Sequence, residues 1–68
     1  MATYTWKGIE FKLASKDSVN NSTNVSLTMD EICDEVDERF IDMFPEEQPV
    51  RILITWRRLK ENIYYKQT

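Results

Sequence analysis

The chain has a single glycine, Gly8, and it stands between two short runs in which polar and apolar residues alternate. The first run is Thr3-Tyr4-Thr5-Trp6 and the second is Ile9-Glu10-Phe11-Lys12-Leu13, with Lys7-Gly8 between them. Glycine reaches the positive φ that a two-residue hairpin turn needs, so the runs are expected to fold back on each other there. Turn and register then agree. Trp6 falls opposite Ile9 and Tyr4 opposite Phe11 on one face, while Thr5 meets Glu10 and Thr3 meets Lys12 on the other. A slip of one residue would turn the aromatic face to solvent, so burial of that face holds the register.

With 68 residues in all, the cover for this hairpin must come from one small domain, residues 1–68. Residues 14–26 (ASKDSVNNSTNVS) lack helical periodicity and read as a mobile polar loop, ending in a short strand near Val25. Their overlapping Asn-x-Ser/Thr triplets are read as loop composition, because no export signal precedes them. A helix is expected from residue 29 to about residue 43. Thr28 supplies its N-cap, Glu31 the capping-box partner, Leu27 with Ile32 a hydrophobic staple, and Pro45 the stop. Met29, Ile32, Cys33, Val36, Phe40 and Met43 form its apolar stripe, which makes Cys33 a core thiol.

The run at residues 50–57 (VRILITWR) is rich in β-branched residues and alternates, with Val50, Ile52, Ile54 and Trp56 on one face. Residues 57–66 read either as a turn into a last strand at 62–66 or as a short helix. The resulting order, ββαββ, defines an α+β domain in which one amphipathic helix packs on one face of a mainly antiparallel sheet of about four strands.

Composition removes several chemistries. The chain has no histidine, one cysteine and one glycine, which excludes zinc clusters, disulfide scaffolds, Gly-rich phosphate loops and histidine acid/base catalysis. No catalytic residue, metal ligand or cofactor is assigned, and the chain reads as non-enzymatic. Neither Asp34 with Glu38 nor Glu31 with Glu35 belongs to a calcium-loop motif. No apolar run approaches the roughly 20 residues of a membrane span, so no membrane partner is expected. A lone cysteine and the lack of a leader-like segment predict a cytoplasmic protein.

The net charge of -3 conceals a strong segregation. Residues 30–47 carry nine acids against Arg39 alone, a net of -8, while residues 48–68 carry five basic residues against Glu61, a net of +4. Residues 1–29 carry Lys7, Lys12 and Lys16 against Glu10 and Asp17, a net of +1. On one continuous helix, Asp30/Asp34, Glu31/Glu35, Asp34/Glu38 and Glu38/Asp42 are like-charge pairs four residues apart. Together they cost about 1 to 2 kcal/mol.

Such repulsion is relieved when an acidic face meets a basic one. The leading expectation is therefore a small protein-binding module in which Glu31, Asp34, Glu35, Asp37, Glu38 and Asp42 dock on a basic partner surface. A nucleic-acid-binding protein is such a partner, since a dense anionic ridge imitates phosphate spacing. An inhibitor or accessory protein of a phage or mobile element fits that description. The alternative is a nucleic-acid-binding module using Arg51, Arg57, Arg58, Lys60 and Tyr64, cations and an aromatic on an open sheet face. A sequence pI of about 4.8 argues against direct nucleic-acid contact. A third expectation is self-association into a homodimer, with the acidic helix of one copy meeting basic strands of another.

Overall fold

The structure, a computed structural model, describes the backbone of residues 3–22 and 26–66 and the side chains of residues 3–19 and 26–63. Strands β1 (Tyr4–Trp6) and β2 (Ile9–Phe11) form the antiparallel hairpin, paired Tyr4 with Phe11, Thr5 with Glu10 and Trp6 with Ile9. Lys7 at φ 51° and Gly8 at φ 82° both lie in the left-handed region, the pattern of a type I′ turn. A Cβ at Gly8 would meet no atom within 4 Å, so backbone conformation rather than space calls for glycine there. Trp6, Ile9 and Phe11 are buried, Tyr4 is half-buried, and Thr5 and Glu10 face solvent.

The rest of the architecture corrects the ββαββ expectation. Among the described residues the fold is an α+β domain of two strands and four helices, in the order β1, β2, α1 (Lys16–Ser22), α2 (Met29–Ile32), α3 (Glu38–Asp42) and α4 (Pro49–Lys66). Among the described residues the sheet has two strands rather than four, and no single helix covers it. Within the polar stretch read as a loop, Ser15 starts α1 by accepting the Ser18 N–H on its side chain at 3.2 Å. The strand expected near Val25 falls outside the described residues.

The acidic helix expected over residues 29–43 is two short helices with a break between them. Thr28 and Glu31 form the capping box that starts α2, each side chain accepting the other's backbone N–H at 3.3 Å. At Asp37 the backbone leaves the helical region, with ψ 134°. Its side chain accepts the Arg39 N–H at 2.9 Å, and its carbonyl accepts Phe40 and Ile41 at 2.9 and 3.1 Å. Asp37 is therefore the N-cap of α3, and the break removes the continuous ladder on which the like-charge pairs would have stacked. Cys33, expected in the core, caps α2 and is exposed.

The largest correction is α4, one 18-residue helix that absorbs the predicted strand at residues 50–57 and takes residues 57–66 in the helical alternative rather than as a last strand at 62–66. Pro49 occupies its first turn, where a missing N–H costs nothing, and the Gln48 carbonyl accepts Arg51 and Ile52 at 3.1 and 3.2 Å. Ile52, Thr55, Trp56 and Leu59 recur at spacings of three and four and are all buried, with Ile63 packed beside them. Packing of that stripe outweighs the β preference of Val50, Ile52, Ile54 and Thr55, a weak effect by comparison.

Phe40, fully buried, is the hub of the core. Its ring lies 5.3 Å from Trp6, 5.4 Å from Phe11, 5.4 Å from Phe44 and 4.9 Å from Trp56, mostly edge to face. The hairpin's apolar face, α3 and α4 thus meet on one aromatic ring. A second attachment is polar. The Ala14 N–H donates to Thr55 Oγ1 at 2.6 Å, and Arg51 Nε donates to the Ala14 carbonyl at 2.8 Å. Both backbone groups of a residue only 3% exposed are therefore satisfied by one turn of α4.

Candidate functional site

Residues 30–46 carry two interleaved sets of side chains. Ile32, Val36, Phe40 and Phe44 recur every four residues, and all are buried. Asp30, Asp34, Glu38, Asp42 and Glu46 also recur every four residues, offset by two, and all are exposed. Within α2 and α3 an offset of two lies on the opposite side of the helix from Ile32 and Phe40, so anchoring those residues turns Asp30, Glu38 and Asp42 outward, while Asp34 and Glu46 are exposed in the turns that follow. None of these five acids makes an ion pair or side-chain hydrogen bond among the described residues.

The remaining acids of the segment are committed internally. Glu31 is the capping-box partner of Thr28, accepting its hydroxyl at 3.1 Å as well as its N–H. Glu35 takes a two-point contact from Arg57 of α4, Nε to Oε2 at 2.9 Å and Nη2 to Oε1 at 3.1 Å. That hydrogen bonding holds the Glu35 carboxyl below its ordinary value, with the Arg57 charge adding to it. Asp37 caps α3 and pairs with Arg39 at 3.1 Å, and the Arg39 side-chain hydrogen bond likewise lowers its pKa. Glu47 binds Arg51 at 2.6 Å.

Of the six acids expected to face a partner, the structure therefore turns Asp34, Glu38 and Asp42 outward as one set and takes Glu31, Glu35 and Asp37 into the fold's own contacts. It adds Asp30 and Glu46 to the outward set. The four-residue recurrence of charge was legible in the sequence; the offset from Ile32, Val36, Phe40 and Phe44 was the signal that sorts outward acids from committed ones.

The basic residues of the alternative site share no sheet face, because that face does not exist. Arg51, Arg57, Arg58 and Lys60 lie on α4. Arg51 is held by Glu47 and Ala14, Arg57 by Glu35, and Lys60 places its Nζ 5.9 Å from the Trp56 ring centroid. Arg58 is exposed. The Tyr64 side chain is outside the described residues. Among the described residues no three cysteine or carboxylate side chains converge as metal ligands, and no helix is long and apolar enough to cross a membrane.

Fold and site together define a small α+β domain in which a segment anchored by Ile32, Val36, Phe40 and Phe44 exposes five acids. No protein-family model, curated protein or solved structure matches the chain.

Proposed function

We propose that this protein is a small non-enzymatic binding module of the cytoplasm, whose outward acids Asp30, Asp34, Glu38, Asp42 and Glu46 dock on a basic surface of a protein partner. The observation that carries this reading is the contrast in use. Four neighbouring acids are spent on caps and ion pairs, whereas these five are exposed and unpaired on a backbone anchored every fourth residue. An excess of unpaired acids on one segment is complementary to a surface rich in cations, where it also speeds encounter. A groove that ordinarily receives nucleic-acid phosphates offers such cations in a row, which makes inhibition of a nucleic-acid-binding protein the specific form of the proposal. An accessory or inhibitor protein of a phage or mobile element is the setting this proposal implies.

The test is capture of partners on the immobilised protein. Proteins retained by the parent at low salt should elute as salt rises, and the doubly reversed variant Asp34→Lys with Glu38→Lys should fail to retain them. An identical retained set on parent and variant overturns the reading. Sedimentation of the protein alone at two salt concentrations separates self-association, which would appear as a salt-sensitive dimer.

A further inference from the structure

Away from the acidic segment, the end of β2, the start of α1 and the start of α4 enclose an open cleft of about 460 Å³. Its walls include Lys12, Lys16 and Arg51, with Tyr4 and Leu13 as the apolar side and Glu47 as the one carboxylate. Lys16 and Arg51 also border an adjoining depression of about 180 Å³ beside Gln48, so these two cations stand on the ridge between both spaces.

Arg51 is set in place before any ligand arrives. Its Nε donates to the Ala14 carbonyl at 2.8 Å and its Nη1 to Glu47 at 2.6 Å, and its side chain is only 17% exposed. Nη2 makes no hydrogen bond among the described residues, which leaves its N–H donors uncommitted on a guanidinium already fixed in place. Lys12 and Lys16 are exposed and have no carboxylate partner among the described residues. Three cations against Glu47 leave the cleft about two positive charges in excess, matching the charge of about -1.5 to -2 on a phosphate monoester. The Tyr4 ring is braced by Phe11 at 5.6 Å and Phe44 at 4.8 Å, giving an apolar wall that needs no ordering on binding. The volume falls within the roughly 300 to 1,000 Å³ of small-molecule sites.

We propose that this cleft binds a small organic phosphate of nucleoside monophosphate size. Lys12, Lys16 and the Arg51 Nη2 group hold the phosphate, and Tyr4 with Leu13 meets the apolar body. The site shares no side chain with the outward acid set, so it stands or falls separately from the docking surface.

Titrating the labelled protein with adenosine monophosphate, adenosine and inorganic phosphate, followed by amide NMR, tests it. Adenosine monophosphate should move the Lys12, Leu13, Lys16 and Arg51 resonances, inorganic phosphate should move the same set more weakly, and adenosine should leave them in place. The exposed double variant Lys12→Gln with Lys16→Gln should keep the parent spectrum elsewhere and bind about tenfold more weakly. No movement with the monophosphate at about 10 mM, roughly ten times a millimolar dissociation constant, overturns the proposal. So does equal response to adenosine, or undiminished binding by the variant.

Discussion

Ile32, Val36, Phe40 and Phe44 share a backbone with Asp30, Asp34, Glu38, Asp42 and Glu46, yet the two sets meet opposite environments. The first is buried to 5% exposure or less, and the second is exposed throughout. The difference teaches that the segment's order comes from one side and its charge is carried on the other. Stability and surface chemistry are therefore separable by substitution. The largest effect should come from Phe40→Ala, which empties the ring shared by Trp6, Phe11, Phe44 and Trp56. A loss of about 3 to 5 kcal/mol is expected, comparable to what the core of so small a domain supplies. Denaturant unfolding followed by circular dichroism reads it, and a loss as small as that of an outward acid would break the distinction between the two sets.

Thr55→Val asks whether burial or chemistry decides. Valine keeps the shape of threonine but removes Oγ1, leaving the buried Ala14 N–H without an acceptor. A loss of about 1 to 3 kcal/mol is expected, seen as a lower urea midpoint at unchanged slope. An unchanged midpoint would mean that Ala14 finds another acceptor.

The smallest effect belongs to Glu35→Gln, which removes an exposed ion pair screened by solvent and worth at most about 1 kcal/mol. Its signature is pH dependence. Arg57 and Arg39 hold the Glu35 and Asp37 carboxyls below their ordinary values, so their contribution is present above the ordinary carboxyl range and is lost as pH falls through the lowered folded-state values. Melting temperature should therefore fall on acidification below about pH 4 in the parent, and more shallowly in Glu35→Gln. Parallel curves would assign the acid sensitivity elsewhere.

The hairpin was legible because all its information is local: a turn dipeptide with glycine, and alternation on either side that admits one register. The capping box of Thr28 and Glu31 was legible for the same reason. The break at Asp37 was not, since an aspartate inside an apolar period reads equally as an outward helical residue or as a cap; only the pull of Phe40 and Phe44 into the core separates the two. Residues 50–57 misled because Val50, Ile52, Ile54 and Trp56 satisfy a period of two while Ile52, Thr55, Trp56 and Leu59 satisfy one of 3.6. Pro49 after Gln48 was the available clue, placing a favoured first helical residue ahead of that second pattern. Charge recurrence picked out Asp34, Glu38 and Asp42, and all three are exposed. The pairing of Glu35 was not legible, because its partner Arg57 lies 22 residues away on an element read as a strand.

The hydrogen bond from Ala14 to Thr55 spans 41 positions. A ribosome delivers the chain from its N-terminus, so the hairpin and the backbone that follows it emerge well before the turn of α4 that satisfies Ala14. Through that interval Trp6, Ile9 and Phe11 have no α4 to lie against. Docking of the hairpin's apolar face is consequently timed by the appearance of Thr55, Trp56 and Leu59 rather than by closure of the hairpin.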